Sequence, residues 1–296
     1  MTGPLIALLS AIFFALHATV VRRAVLLVSD ASTGMLISVP VAVPVLFLFL
    51  AFTGQLQGLV GLPWQSYAWL STAGIFYFVV GRTLIYECTQ LVGANITSIL
   101  VRFNVLVSVV VGVTVLHEPL SWRMATGVLL ILVGITMTGL SPRMFRDPNG
   151  RLTKIPAKAF ILGSGCGVAI GIAPIFVKLG LNDTISPIAA VFISYLAATP
   201  IVSLALLKRK KRTSIARIPI KAAGLFAIAG FLSLGANLAR FGALSLAPAS
   251  VVAPLVWTFP VFLLIFSFLF NRQLEILNRA VIIGTLTVVI GSILLI

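Results

Sequence analysis

Long apolar stretches separated by short polar breaks run along the whole chain. A helix needs about 20 apolar residues to cross the roughly 30 Å hydrocarbon core of a bilayer. Ten stretches approach that length, at roughly residues 4–25, 34–52, 67–91, 94–116, 122–140, 159–181, 186–207, 222–246, 250–270 and 277–296. The alternating segments of about ten residues that form barrel strands do not occur in the sequence. The pattern therefore predicts an all-α integral membrane protein with ten transmembrane helices.

The composition supports a membrane protein and excludes several other classes. Hydrophobic residues make up 60 % of the 296 residues, and charged residues make up 9 %. Soluble domains carry about 25 % charged residues. Soluble enzymes, disordered proteins and nucleic-acid-binding domains are therefore poor explanations of this chain. The formal net charge of +15 then indicates basic loops beside the membrane rather than a nucleic-acid partner.

The basic residues are unevenly distributed among the predicted connections. Sixteen of the 21 lie in connections one–two, five–six, seven–eight and nine–ten, most densely in loops 142–158 and 208–221. Only Arg123 and Lys178 lie on the other side of the predicted membrane. The positive-inside rule then places loops 142–158 and 208–221 in the cytoplasm and both termini outside. We expect a multi-pass protein of the cell membrane with this orientation.

The two halves of the chain match each other at a separation of 156 or 157 residues. The matched pairs include Ala7 with Gly163, Gly74 with Gly230, Glu118 with Glu275, Gly127 with Gly284, and Gly134 with Gly291. Each repeat holds five predicted helices, at residues 1–146 and 155–296. Because five is odd, the second repeat enters the membrane in the opposite sense. This predicts two inverted five-helix repeats, an architecture that suits alternating access.

Local motifs in both repeats resemble a known group of membrane proteins. The second repeat reads ALSLAPAS at 243–250 and FPVF at 259–262, and the first reads LHEPL at 116–120. With the five-plus-five pattern, the chain resembles the drug/metabolite transporter superfamily, specifically its EamA-type ten-helix permeases. The resemblance implies secondary transport and a central cavity lined by helices one, three, four, six, eight and nine. Such permeases are usually described with both termini in the cytoplasm, opposite to the orientation that the charges favour.

Four ionisable side chains fall well inside the predicted spans, namely Arg82, Glu87, Arg102 and Arg240. Each costs about 2.5–3.5 kcal/mol to insert, so each requires an explanation. If the chain turns near residues 92–93, Arg82 and Arg102 lie about ten residues, or roughly 15 Å, from the turn and approach the midplane. Arg240 approaches the same layer from the opposite face. Arginine binds carboxylates and phosphates through a planar fork of donors, so we expect an anion-attracting pocket.

Polar neighbours on the same helix faces complete the predicted site. The predicted substrate-binding residues are His17, Arg82, Tyr86, Asn95, Ser98, Arg102, Asn237, Arg240 and Trp257. The alternative is structural, with one arginine neutralised by Glu87 and the others snorkelling or meeting backbone carbonyls. Glu87 either carries a coupling proton or forms a salt bridge. His17 either titrates, binds substrate or is a hydrogen-bonded interior residue.

The sequence predicts structural roles for two further carboxylates. Glu118 and Glu275 precede spans five and ten, and we expect each to cap the N-terminus of the helix that follows it rather than to contact substrate. The sequence has no zinc-ligand spacing, nucleotide-binding motif or readable nucleophile–base pair. No catalytic residue, metal or cofactor is therefore predicted, and the protein is not expected to be an enzyme.

The first functional hypothesis is a secondary transporter of small organic metabolites that works by alternating access, as a monomer or a homodimer. Its substrates would be amino acids or related compounds that carry a carboxylate or phosphate, anionic or zwitterionic. The alternatives are an exchanger of phosphorylated metabolites or nucleotide sugars, a flippase of a lipid-linked intermediate, and a membrane scaffold without transport activity. The expected partners are a small-molecule substrate and the lipid bilayer, with no nucleic acid.

Overall fold

The computed structural model describes residues 2–28, 31–139, 156–181, 185–207, 209–270 and 279–296, and every regular element in this part of the chain is helical. The first half contains α1 Thr2–Val25, α2 Met35–Ser38, α3 Ala42–Phe52, α4 Gln57–Val60, α5 Trp64–Gly74, a π-helix Ile75–Gly81, α6 Arg82–Val101, α7 Phe103–Val115 and α8 Trp122–Gly139. The second half contains α9 Ala157–Gly180, α10 Pro187–Ser203, α11 Arg209–Ala216, α12 Ile220–Leu246, α13 Ala249–Val256, α14 Phe259–Phe270 and α15 Arg279–Leu295.

Among the described residues, six helical segments are long and apolar enough to cross a membrane. They are Thr2–Val25, Met35–Phe52, Trp64–Thr89, Ala157–Gly180, Pro187–Leu207 and Ile220–Leu246. Four shorter apolar helices cover Phe103–Val115, Trp122–Met137, Ala249–Leu263 and Ile283–Leu295. Large apolar side chains are exposed along many of these helices, as a lipid environment requires. The all-α membrane class is confirmed, whereas the count of ten spanning helices stays a prediction.

Proline and serine mark where several helices begin. Pro156, Pro219 and Pro248 directly precede α9, α12 and α13, and all three have the extended ψ that a residue before a helix adopts. Ser186 caps α10 by accepting a hydrogen bond from the backbone N–H of Ala189 at 3.2 Å, and a proline follows it. These local signals determine the first residue of each helix, which the hydropathy pattern locates only to within a few residues.

Contacts between the two halves exchange partners as two equivalent repeats do. A Cβ atom built on Gly74 would lie 2.1 Å from the carbonyl oxygen of Ser194, and one on Gly230 would lie 2.8 Å from that of Ser38. Adding 156 converts Gly74 to Gly230 and Ser38 to Ser194, so the two contacts are the same contact made twice. This exchange is what a two-repeat architecture produces. The helices α8 and α15 also pack closely against each other at glycines of both helices.

The first helices of the two repeats occupy equivalent positions in the interior. α1 packs against α12, whereas α9 packs against α5, α6 and α7. The hydroxyl of Ser10 donates to the carbonyl of Ala236 at 2.7 Å, and the thiol of Cys166 donates to that of Gly81 at 3.3 Å. Ser10 and Cys166 are 156 residues apart, so both repeats use one polar contact to fix a central helix.

The chain reverses direction within α6. Leu70 lies beside Gly180 and the thiol of Cys88 donates to the carbonyl of Ala159, so this part runs antiparallel to α9. Leu100 then lies beside Gly163, from where the chain runs parallel to α9 through α7. The reversal therefore falls between Cys88 and Leu100, around the turn expected near residues 92–93. The backbone keeps helical hydrogen bonding through this bend, and a separate break follows at Arg102.

The expected cap of α8 by Glu118 is wrong. Glu118 accepts hydrogen bonds from the backbone N–H groups of Ala249 at 2.6 Å and Ser250 at 2.8 Å, at the start of α13. Ser121 caps α8 instead, by accepting from the N–H of Met124 at 3.2 Å. Glu118 therefore links the first half to a helix of the second half. Glu275 lies outside the described residues.

Candidate functional site

A cavity of about 210 Å³ lies in the interior, between helices of both halves. It is bounded by α1, the π-helix, α6, α9, α12, α13 and the start of α14. The lining side chains with polar groups are His17, Tyr77, Arg82, Arg240 and Trp257. The remaining lining is apolar, and none of the described lining residues is acidic. Two guanidinium groups therefore face a largely apolar space without a carboxylate beside them.

Arg82 is held in place by a helix of the other repeat. Its Nη2 donates to the hydroxyl of Ser233 on α12 at 3.1 Å, and its guanidinium carbon lies 5.4 Å from the centre of the Phe78 ring. The side chain is half-buried. The single bond to Ser233 fixes the orientation of the guanidinium and leaves other donors for a ligand.

Behind Arg82, three buried side chains form a hydrogen-bonded group. The hydroxyl of Tyr195 lies 3.4 Å from that of Ser233 and accepts from Nδ2 of Asn237 at 3.1 Å. Nδ2 of Asn237 also donates to the carbonyl of Ser233 at 2.7 Å. Asn237 is fully buried and is not among the cavity-lining residues. Asn237 thus holds the hydroxyl of Tyr195, which in turn lies beside the Ser233 hydroxyl that accepts from Arg82.

Arg240 faces the cavity from α12 and stacks on an aromatic ring. Its guanidinium carbon lies 4.0 Å from the centre of the Tyr77 ring, well within the range of a cation–π contact. Arg240 is 5 % exposed, and its Nε has no hydrogen-bond partner. Tyr77 lies in the π-helix Ile75–Gly81, directly before Arg82, and such segments occur often at functional sites.

His17 presents a hydrogen-bond acceptor to the cavity, whereas the two arginines present donors. Its Nδ1 lies 2.8 Å from the carbonyl oxygen of Ala229. Because a carbonyl oxygen only accepts hydrogen bonds, Nδ1 carries the proton of this contact. In the neutral ring, Nε2 is then an acceptor. The imidazole can therefore take a hydroxyl or a protonated acid group of a ligand.

The two halves also break their helices at corresponding positions. Trp257 and Thr258 separate α13 from α14, and Arg102 separates α6 from α7. Thr258 is 156 residues after Arg102, so the breaks are equivalent in the repeat. Trp257 lines the cavity. In inverted-repeat carriers, broken helices near the midplane build the substrate site.

The sequence profile of the EamA-like transporter family matches the chain twice, over residues 1–140 and 157–296. The chain belongs to the EamA-like transporter family. It is therefore a multi-pass membrane transporter of the drug/metabolite transporter superfamily, a group of transporters rather than enzymes. A solved crystal structure with 12 % sequence identity superposes on this EamA-like chain with a TM-score of 0.72, covering 99 % of this chain and 94 % of the other. That likeness concerns the fold alone. No curated protein sequence matches the chain.

The predicted site residues fall into three groups in this EamA-like protein. His17, Arg82, Arg240 and Trp257 line one cavity, and Asn237 lies behind it. Arg102 is not among the lining residues, and its buried Nη1 has no hydrogen-bond partner. Glu87 is exposed and does not line the cavity. The side chains of Tyr86, Asn95 and Ser98 lie outside the described residues.

Sequence reasoning missed two aromatic residues beside the arginines of the EamA-like chain, Tyr77 and Tyr195. In an α-helix, residues five apart point about 140° from each other, so Tyr77 is not expected to share a face with Arg82. A π-helix hydrogen-bonds residues five apart and so turns them closer to one face, and both Tyr77 and Arg82 line the cavity. Tyr195 belongs to a span that the resemblance did not assign to the cavity. Its signal is a tyrosine in the middle of a predicted membrane span.

Proposed function

We propose that this transporter moves small carboxylate- or phosphate-bearing metabolites by alternating access, as a secondary carrier. The observation that carries the proposal is the convergence of Arg82 and Arg240 on one cavity whose described lining has no acidic residue. Buried charges need a partner, and an anionic ligand supplies it. A guanidinium group binds either a carboxylate or a phosphate through two parallel hydrogen bonds.

Charge and size narrow the ligand further. A free ammonium group in this cavity would lose its hydration beside two guanidinium groups and would find no carboxylate among the described lining residues. Net anions are therefore favoured over amino-acid zwitterions. The volume of about 210 Å³ is of the same order as the engineered cavity of about 150 Å³ that binds benzene. This supports a small metabolite over a nucleotide sugar or a lipid-linked intermediate.

The repeat architecture supports alternating access. The two halves exchange equivalent contacts at Gly74 and Gly230, and both halves carry a helix break at the same repeat position. Two such halves can exchange their conformations, which converts an inward-facing cavity into an outward-facing one. No nucleotide-binding motif occurs in the sequence, so gradients of substrate or ions would drive transport.

A ligand panel tests the proposed substrate class. Purified protein in detergent is heated with amino acids, dicarboxylates, sugar phosphates, nucleotide sugars and isoprenoid phosphates in turn. A ligand that binds only the folded protein raises the melting temperature, by more at higher concentration. We expect stabilisation by dicarboxylates or small phosphate esters. Stabilisation by neutral or zwitterionic amino acids alone would contradict the anion site, but it would not contradict the assignment of the chain to a transporter family.

The proposed orientation places the basic loops 142–158 and 208–221 in the cytoplasm. Ile220 and Trp122 are both about nine-tenths exposed, at opposite ends of the helix bundle. We expect a cysteine at Trp122 to react with an impermeant maleimide in intact cells, and a cysteine at Ile220 to react only after lysis. Cys88 and Cys166 are buried and give a low background. The reverse pattern would invert the topology.

A further inference from the structure

Three buried polar side chains beside the cavity have no hydrogen-bond partner. Both amide atoms of Asn104 and the hydroxyls of Ser108 and Ser250 are unpaired, and each residue is 1 % exposed. Buried polar groups are nearly always hydrogen-bonded, so each exception needs an explanation. Of the buried unpaired groups in the described residues, these three are side chains left without any partner in one region, which points to a common cause.

These side chains lie where α7, α9 and α13 meet, a region that we call the seam. Asn104 and Ser108 are one helical turn apart on α7, and Gly112 follows one turn later. A Cβ atom on Gly171 of α9 would lie 2.6 Å from the carbonyl oxygen of Asn104. One on Gly112 would lie 3.5 Å from the backbone nitrogen of Ser250 at the start of α13. The polar stripe of α7 therefore runs from the α9 contact to the α13 contact.

The seam adjoins the cavity through α13. Ala253 and Val256 of this helix line the cavity, while Ser250, at its start, lies in the seam. The seam thus continues from the cavity toward the end of the bundle where α12 and α13 connect. That end also holds the start of α1, because a Cβ atom on Gly3 would lie 2.7 Å from Cβ of Ala247.

Glu118 closes the seam at this end. Its two carboxylate oxygens accept the backbone N–H groups of Ala249 and Ser250 at 2.6 and 2.8 Å. Gly112 permits this approach, since a Cβ atom there would lie 2.8 Å from Oε2 of Glu118. Charge-assisted hydrogen bonds at the positive end of a helix are among the stronger polar contacts. They tie the connection after α7 directly to α13.

We propose that the seam is the closed half of the substrate pathway, with Glu118 as its latch. When Glu118 releases α13 and the helix separates from α7, Asn104, Ser108 and Ser250 face water and the passing anion. Their missing partners in the closed conformation are then the water and ligand groups of the open one. This inference rests on transport by alternating access, and it adds the substrate-facing residues of the second half-channel.

Cysteine accessibility tests the seam. In a background with Cys88→Ala and Cys166→Ala, single cysteines replace Ser108, the cavity residue Ala18, or Val110. Val110 lies on α7 with half of its surface exposed on the outer face and is the matched control. Detergent-solubilised protein is treated with the anionic thiol reagent 2-sulfonatoethyl methanethiosulfonate, and labelling rates are measured by intact mass.

We expect Ser108→Cys to label slowly, and about tenfold faster when Glu118→Gln weakens the latch, as one lost charge-assisted hydrogen bond implies. Labelling at Val110 should not change. Ala249→Pro gives a second way to open the latch, because it removes one donor to Glu118. Proline is tolerated at the first position of a helix, and Pro248 has the extended conformation (ψ 146°) that a residue before proline adopts.

The outcomes separate this inference from the proposed function. If neither latch variant accelerates labelling at Ser108 while Ala18→Cys stays reactive, the seam is not the pathway and the cavity site stands. If Ala18→Cys is itself unreactive in every variant, the cavity does not admit an anion from water, and the proposed function fails first. Acceleration at Val110 equal to that at Ser108 would indicate loosening of α7 as a whole and would overturn the inference.

Discussion

Replacing Arg82 with Gln is expected to weaken binding of the stabilising anion by about ten- to a hundredfold. The change removes the positive charge and the guanidinium donors, including the one that lies 3.1 Å from the hydroxyl of Ser233, and it keeps a polar side chain at the cavity. Hydrogen bonds to charged groups contribute about 1.5–3 kcal/mol, and each 1.4 kcal/mol is tenfold in affinity. The measurement is the ligand concentration needed for half of the maximal rise in melting temperature.

Two companion variants make this result specific. Arg82→Lys keeps the charge but loses the planar fork of donors, so binding should fall less than in Arg82→Gln. Arg102→Gln is the matched control because Arg102 does not line the cavity. The sequence alone predicts the same loss for both arginines, whereas the cavity geometry predicts it for Arg82. Equal affinity in wild type and Arg82→Gln would make the arginines structural.

Gly74→Ala is expected to give the largest loss of stability among single-methyl additions at the helix contacts. The new Cβ would lie 2.1 Å from the backbone carbonyl oxygen of Ser194, and neither helix backbone can move away cheaply. Overpacking of this kind typically costs about 1–3 kcal/mol, sometimes more. Gly230→Ala makes the equivalent contact at 2.8 Å, so its effect should have the same sign and be smaller.

Gly224→Ala is the control for Gly74→Ala. Gly224 lies in α12, and no atom lies within 4 Å of a Cβ built there. Alanine favours a helix over glycine by up to about 1 kcal/mol, so this variant should be neutral or slightly more stable. Melting temperatures in one detergent compare all three variants. A Gly74→Ala protein as stable as Gly224→Ala would contradict the close approach of α5 to α10.

The membrane helices, the repeat and the interior arginines could be predicted from the sequence. Each depends on the residue types in one segment or on a fixed separation along the chain, and not on how the helices pack. Mean hydropathy over about 20 residues identifies a membrane helix wherever it later packs. A repeat offset of 156 residues is a count along the chain, and it correctly relates Gly74 to Gly230 and Ser38 to Ser194. An arginine in an apolar stretch is likewise visible without a fold, and this identified Arg82 and Arg240.

The tertiary structure alone decided which side chains meet. The π-helix before Arg82 turned Tyr77 toward the cavity, and no hydropathy pattern predicts where such a helix forms. Arg102 lies at a helix break and is not among the residues that line the cavity. Glu87 kept its place along the helix but lies on an exposed face, because the rotation of a helix is set by its neighbours.

The sequence by itself determined that this protein is a helical membrane transporter built from two repeats, with arginines in its interior. Only the tertiary structure decided that Arg82 and Arg240 share a cavity and that Glu118 holds a helix of the opposite repeat. The physical reason is that insertion into a bilayer depends on the free energy of each segment separately. Contacts between helices depend instead on close approach at small residues and on paired polar groups from distant parts of the chain.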